Sequence, residues 1–465
     1  VTAGQIYFIR ATADYTGSGY YAISVTTELE DPVPAPEDPV EASPGAEVRG
    51  QVVSNEDGTS LRILGTNASD VITIQQNGLS VTLITGAGSE TFIGAFDALW
   101  VYGFSGDDTI RLTNTVTIAS VIYAGDGDDS VFNAGTATDW VYGGEGSDLL
   151  VSVGGGADYV TGNYGRDSFW ADDDDMILDV SSTETGARAV HVIESFYQPW
   201  TDDEASDDYV PLEIAGQDLR DPALYKTATG YVNYASSPLF TDGPDYDDID
   251  QGGVGDCYYL AGLASLADSD PDIISEMIAP MGDGTFAVRY FRNGQEHYVR
   301  IDADLPVRSD GNIIFARMSP EGEMWVPLVE KAYCFFRWER DNDRANSYEG
   351  IVAGWMHSVY AEVSGEDFGW QGTYVSEGEL ADYIRTHLQA GHAVSAGSKW
   401  DASGPVVSGH AYTIRSIDAQ NRVTVYNVWG TDGGTGDDGN RSDGLRTLTI
   451  SEVKQYFSTI VICTA

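Results

Sequence analysis

Basic residues are scarce in this 465-residue chain: Lys and Arg number 24 against 73 Asp and Glu, a formal net charge of −49. A phosphate-gripping nucleic-acid binder needs a basic footprint and is excluded, and the same acidic excess argues against docking on an anionic membrane surface. Cysteine is scarcer still. Cys257, Cys334 and Cys463 lie far apart and make neither a metal knuckle nor a disulfide framework. No apolar run reaches the ~18 residues of a membrane span. The first residue is Val and no signal segment is present, so the chain is read as a processed or truncated form whose missing start had room for an export signal.

Glycine is plentiful, at 53 residues, and hydrophobic residues make up 42%. That balance is too apolar for wholesale disorder and too glycine-rich for a helical bundle. At about 150 residues per domain, two to four domains are expected. Residues 1–29 hold two alternating stretches, Gln5 to Arg10 and Tyr20 to Val25, across a Gly17/Gly19 turn, the remnant of an N-terminal β domain. Residues 30–46 collect Pro32, Pro34, Pro36, Pro39 and Pro44 among acids, an extended semi-rigid linker.

From residue 47 short apolar strands alternate with glycine–aspartate turns. Gly103-Phe104-Ser105-Gly106-Asp107-Asp108-Thr109-Ile110 is followed by similar runs carrying Asp129, Asp148, Asp158 and Asp167. This resembles the RTX nonapeptide repeat, Gly-Gly-x-Gly-x-Asp-x-apolar-x, which folds as a parallel β-roll around Ca²⁺. The physics suits it: glycines allow tight turns and expose carbonyls, Asp supplies a carboxylate, and the apolar residue two places later packs inside. Asp108, Asp129, Asp148, Asp158 and Asp167 are therefore the expected Ca²⁺ ligands of a β-roll over residues 47–180. The bland alternative is a repeat whose acidic turns are only solvated. The run Asp172 to Asp175 reads as a solvated edge or a last turn. Residues 181–235 form a mixed connector, and residues 236–465 have the size and α+β pattern of one enzyme domain.

Chemistry concentrates in Gln251-Gly252-Gly253-Val254-Gly255-Asp256-Cys257-Tyr258-Tyr259-Leu260-Ala261. A glycine-rich turn delivers Cys257 to the first turn of an apolar helix, where the dipole and unpaired N–H groups favour a thiolate. Gln251 could offer its amide to an oxyanion alongside the Cys257 N–H. Downstream, His410 opens an apolar strand, and Tyr426-Asn427-Val428-Trp429-Gly430 follows. A Cys nucleophile needs a base, and the base needs an orienting acceptor; Cys, His and Asn in this order is the papain-type solution. Taken singly, Cys257 could be a buried structural thiol and His410 a satisfied strand histidine; the surrounding motifs favour chemistry. His392, between a helix and a strand with no Asn–Trp partner, and Cys334, on an apolar helix, read as packing residues.

Residues 238 to 465 resemble the calpain family of Ca²⁺-dependent cysteine proteases. The Gln-Gly-x-x-Gly-Asp-Cys start is met in full, Glu330-Lys331-Ala332-Tyr333 matches the family's Glu-Lys-Ala-Tyr helix, and Gly409-His410-Ala411-Tyr412 matches Gly-His-Ala-Tyr. Departures are Tyr258 for the usual Trp and Val428 for Pro in Asn-Pro-Trp-Gly. The resemblance implies Cys257 as nucleophile, His410 as general base and acid, Asn427 as orienter of the imidazole, and Trp429 as shield of the His–Asn bond. It also implies a Ca²⁺ site from Thr241, Gly243, Asp248 and Glu349, and a second, eroded one to which only Asp443 contributes. No EF-hand loop is present.

The expectation is thus a multidomain protein, an all-β parallel β-roll or solenoid followed by an α+β papain-like, calpain-type protease domain. It is expected to be an exported endopeptidase that uses Ca²⁺ and acts on protein substrates. The alternative is an inactive surface binding or adhesion module. A transglutaminase-like acyl transferase fits less well, since that chemistry pairs Cys–His with Asp.

Overall fold

The computed structural model describes residues 43–55, 58–197, 216, 218–340, 346–435 and 440–464. The expected strands of residues 1–29 and most of the linker lie outside them. Two compact units emerge, Val1–Val192 and Ile193–Ala465.

The first unit is a β-solenoid. One sheet has the order Arg49–Asn55, Gly58–Leu64, Ala98–Ser105, Ser120–Asp126, Trp140–Glu145, Tyr159–Tyr164, Met176–Ile177. After an antiparallel first pair its strands run parallel. The other sheet stacks Thr109–Leu112, Ser130–Asn133, Leu149–Ser152 and Ser168–Asp172 in parallel, and two antiparallel strands, Ser80–Thr85 and Gly88–Ile93, extend its Val71–Asn77 end. Register puts like residues over like: Ile63, Val101, Ile122, Val141 and Val160 form one inward column, and Ile72, Ile110, Val131, Leu150 and Phe169 the other. These columns are the buried core, and removing them from water is the main stabilising term. Each coil takes two arms, so equivalent positions recur every 19 residues from Ile122 to Val141 to Val160.

The solenoid runs on past residue 180. Helix α1 (Ser182–Ala187) has a capping box between Ser181 and Glu184, and strand Val190–Ile193 joins the edge of the second sheet. Part of the segment expected as connector therefore closes the end of the solenoid.

The second unit is α+β. Helices α2 (Cys257–Ser269), α3 (Asp272–Ser275), α4 (Trp325–Arg340) and α5 (Met356–Val363) gather with a three-stranded sheet, Ile278–Pro280, Thr285–Arg292 and Gln295–Asp302. Helix α2 is apolar on nearly every face and is the centre of this core, as the all-round burial of Tyr259 to Ala267 shows. Helices α6 (Glu377–Gln389) and α7 (Ile450–Tyr456) cover a six-stranded sheet with the order Phe368–Gly372, Phe457–Cys463, Val394–Ser398, Ala411–Ile417, Arg422–Asn427, Leu445–Thr449. The two layers are sewn together by polar contacts. Thr413 Oγ1 donates to Ala261 O (3.0 Å), and Tyr360 Oη hydrogen-bonds both Ser265 (2.8 Å) and Ser395 (2.8 Å). Helix α2, which begins at Cys257, and the strand beginning at Ala411, next to His410, are thereby fixed against one another.

Candidate functional site

Cys257 is the first residue of α2 and His410 directly precedes the strand Ala411–Ile417; both line one cleft of about 920 Å³. The Ala411 N–H points at the Cys257 sulfur, so the thiol sits against the backbone beside His410. His410 Nε2 is 2.7 Å from Asn427 Oδ1. The protonation pattern follows from Asn427. Its Nδ2 donates to Thr431 O (2.7 Å) and its Oδ1 accepts from Trp429 N (3.2 Å), so the oxygen faces the imidazole. An acceptor there requires His410 Nε2 to carry the proton, which leaves Nδ1 as the free basic nitrogen. The Trp429 ring lies 4.8 Å from the imidazole, centroid to centroid.

Electrostatics depart from the expected thiolate. Burial first, then the adjacent Asp256 carboxylate, push the Cys257 thiol up to about 11 despite its place at a helix N-terminus. Burial lowers His410 to about 4, against a raising contribution from its bond to Asn427. The resting pair is therefore neutral thiol and neutral imidazole: the helix dipole, worth up to about 2 kcal/mol, is outweighed by desolvation of the sulfur.

Gln251 also differs from expectation. Its Nε2 donates to Val254 O (2.8 Å) and Asp256 Oδ1 (2.9 Å), while its Oε1 accepts from Trp429 Nε1 (2.8 Å). An indole N–H can only donate, so the amide cannot be turned over, and both its hydrogens are already engaged. Gln251 reaches an oxyanion only by giving up one of those bonds. Asp256, unassigned in the sequence reading although it lies inside the motif, is wholly buried and interacts with the equally buried Glu330, whose carboxyl is held protonated by burial and by the Asp256 charge. The two departures from the family pattern are accommodated. Tyr258 Oη donates to Ile351 O (3.0 Å), and Val428, fully buried, accepts the Gln251 N–H on its carbonyl (2.7 Å). His392 pairs with His387 (2.9 Å between Nδ1 atoms), and Cys334 is buried in α4.

Of the acids expected to bind cations in this unit, Asp248 is buried and accepts from Asp245 N (2.8 Å) and Trp325 Nε1 (2.9 Å). Burial raises its carboxyl to about 7, and Glu323 contributes to that rise. Glu323, not singled out in the sequence, accepts the Thr241 and Asp242 N–H groups and keeps a buried oxygen, Oε2, without a partner. Gly243 lies in the same turn. This pair of buried acids fits a cation. Glu349 is exposed, and Asp443 is half-buried with its oxygens held by Leu445 N (3.0 Å) and Asn440 Nδ2 (3.0 Å).

In the solenoid the aspartates stack into a ladder. Asp70 N–H donates to Asp108 Oδ1 (2.7 Å), Asp108 N–H to Asp129 (2.7 Å), Asp129 N–H to Asp148 (2.9 Å), Asp148 N–H to Asp167 (2.9 Å), and Asp167 N–H to Glu184 of α1 (3.3 Å). One oxygen of each acid is thus structural. The other, Oδ2, is buried and unpartnered in Asp108, Asp129 and Asp148, and burial raises those carboxyls to about 7, 6 and 7. A Cβ on Gly103 would lie 2.3 Å from Asp108 Oδ2 and 2.1 Å from Ala124 O; on Gly143 it would lie 2.2 Å from Asp148 Oδ2 and 2.8 Å from Gly162 O. These cradles of carboxylate and carbonyl oxygen fit a hard cation such as Ca²⁺.

Asp158 belongs elsewhere. It lies in a second column with Asp139 and Asp175, in which Ser120 N–H donates to Asp139 (2.6 Å), Asp139 N–H to Asp158 (2.8 Å) and Asp158 N–H to Asp175 (2.8 Å). Its remaining oxygen accepts from Ser152 Oγ (2.8 Å) and Asn133 Nδ2 (2.8 Å), so protein donors fill the place expected for a metal. The spacing gave a clue, since 148 to 158 is about half the 19-residue coil repeat seen in the strand register. Asp139 went unnoticed because a single glycine, Gly135, precedes it where Asp158 has the run Gly154-Gly155-Gly156.

Residues 226–456 match the family model described as calpain family cysteine protease. The chain is 28% identical over 237 residues to the calpain-type cysteine protease ADL1 of Oryza sativa subsp. japonica, covering 47% of this chain and 10% of that protein. It is 29% identical over 256 residues to human calpain-14 (46% and 35%), and 27% identical over 218 residues to the human calpain-1 catalytic subunit (42% and 29%). The match thus spans from about a tenth to about a third of these relatives' length.

Proposed function

Because residues 226–456 form a calpain-family cysteine protease domain, we propose that this endopeptidase cleaves protein substrates through Cys257, His410 and Asn427, and that Ca²⁺ braces its acid-lined turns. The observation that carries the catalytic assignment is the Asn427-fixed tautomer of His410 in the cleft that holds Cys257. His410 Nδ1 takes the thiol proton as sulfur attacks the scissile carbonyl, and the imidazolium then protonates the departing amine. Water, deprotonated by the same nitrogen, hydrolyses the thioester and frees Cys257. The Cys257 N–H faces the developing oxyanion, and Gln251 joins it by releasing Val254 O. Asn427 accepts from the imidazole throughout, and Trp429 keeps water from that bond.

Two tests follow. Asn427→Ala removes the acceptor that fixes the tautomer, and kcat should fall by about 10²- to 10⁴-fold with little change in KM. An unchanged kcat would remove Asn427 from the assignment. The raised thiol and lowered imidazole give a second. In the metal-free, substrate-free chain, alkylation of Cys257 by iodoacetamide, followed by peptide mass, should keep rising through pH 8–10. A plateau at neutral pH would instead reveal a preformed thiolate–imidazolium pair.

Asp108, Asp129 and Asp148 would hold Ca²⁺ in the solenoid, and Asp248 with Glu323 in the catalytic domain; the ion supplies the positive charge these buried acids lack. Extracellular modules bind Ca²⁺ at about 10⁻⁴–10⁻³ M, which is the basis for proposing that the chain works outside the cell. Fractionation of the producing cells tests this; protein confined to the cytoplasm would contradict it.

A further inference from the structure

Few of the cleft's residues are as exposed as two tryptophans. Trp355 is 70% exposed and Trp400 is 89% exposed, and both line the cleft that contains Cys257 and His410. Large aromatic rings left in water forfeit burial that the fold could have given them, and aromatic anchors of this kind dominate the energetics of recognition.

Both are held in place by their surroundings. Trp400 follows a segment braced to the His410 backbone: Ser398 N–H donates to His410 O (2.8 Å), His410 N–H to Ser398 Oγ (2.8 Å), and Gly409 N–H to Lys399 O (3.0 Å). Lys399 Nζ is tied to Lys454 O (2.8 Å) and Gln455 O (2.9 Å). The indole lies against the backbone at Gly409, where a Cβ would come within 2.4 Å of Trp400 Cε3; φ there is +58°. Glycine at 409 is thus required for the ring's position as well as for the turn into His410. Trp355, the N-cap of α5, stacks on His357 (6.1 Å between centroids), which packs on Phe368 (4.8 Å). Of the charged lining groups, Arg337 pairs with Glu362 at 3.2 Å, Lys399 is committed to carbonyls, and Asp401 is exposed.

We infer that Trp355 and Trp400 form a recognition site for a planar aromatic side chain of the substrate, close to the scissile bond. The inference rests on the protease reading above and deepens it by naming the substrate class. Ring–ring stacking adds to area burial and favours Phe or Tyr over Leu of similar size. The indoles act on binding, so they are specificity residues and take no part in proton transfer.

The test uses the full chain with Ca²⁺ and a positional-scanning library of internally quenched peptides. The wild-type chain should favour Phe and Tyr over Leu at one position flanking the cut by about fivefold or more. Trp355→Ala and Trp400→Ala should each erase that preference and lower kcat/KM for the aromatic peptide by about 10- to 100-fold, mainly through KM, with Trp400→Phe restoring most of it. Carbamidomethylation of Cys257 by iodoacetamide, which has no side chain for the subsite, should be unchanged in all three variants. Cleavage with intact labelling but no aromatic preference, or a preference surviving both alanine variants, overturns the inference alone. No cleavage of any peptide by the wild-type chain overturns the protease reading, and the inference with it.

Discussion

Cys257→Ala should abolish peptide hydrolysis, lowering kcat by about 10⁵- to 10⁶-fold, and His410→Ala should do nearly the same. The double variant should be no worse than either single one, because thiol and imidazole act as one unit. The structure makes that interdependence strong. The sulfur is held as a thiol by burial and by Asp256, so it gains nucleophilicity only when His410 accepts its proton. His410 in turn has one basic nitrogen, since Nε2 is committed to Asn427. Neither Cys334 nor Cys463 can substitute, for both are buried away from the cleft. Activity measured on a fluorogenic protein substrate, with circular dichroism to verify folding, decides the matter. Residual hydrolysis by Cys257→Ala above about 1% of wild type would contradict the assignment.

Calcium removal is expected to have the next largest effect. In the solenoid the ladder packs Asp108, Asp129, Asp148 and Asp167 in consecutive coils, each buried to within a few per cent of full exclusion from water. Ionised and uncompensated, they repel one another and lose hydration. With folded-state values raised above the unfolded 3.8, folding takes up protons, so metal-free stability is greatest at acid pH and falls as pH rises through about 6–7. A divalent ion reverses the trend by favouring the charged form. Chelation at pH 7.5 should therefore lower the thermal midpoint of the solenoid by 10 °C or more, while at pH 5 the loss should be much smaller. Asp148→Asn is the telling variant. It retains the Oδ1 acceptor for Asp129 N–H but not the charge, so the metal-free chain should be no less stable than wild type and the Ca²⁺ response should shrink. Equal midpoints with Ca²⁺ and with chelator at pH 7.5 would remove the ion from the solenoid.

The candidate site was legible because each of its signals is local. The motif from Gln251 to Ala261 places Cys257 at a helix start, and α2 begins there. His410 and Asn427 flank strands that pair in antiparallel register, with Tyr412 opposite Asn427, which brings positions seventeen apart in sequence to one end of the sheet. What stayed illegible depends on contacts distant in sequence. The hydrogens of Gln251 are claimed partly because Trp429, from another strand end, fixes its amide. The raised thiol reflects burial, which a helix-start motif does not reveal. In the solenoid the repeat and its inward apolar columns were readable, but counting nonapeptides along one line placed Asp158 with Asp148. A coil with two arms sends them to different columns. Glu184 closes the ladder from a helix that carries no glycine repeat, so nothing local marks it.

The most direct measurement is covalent labelling of the intact chain by an epoxide-type thiol-protease probe across a Ca²⁺ titration, with the modified residue identified by mass spectrometry and Cys257→Ala as control. Labelling at Cys257 alone, blocked by His410→Ala and increasing with Ca²⁺, is the expected result. Absence of labelling at every Ca²⁺ concentration, or labelling that survives Cys257→Ala, would contradict the catalytic assignment.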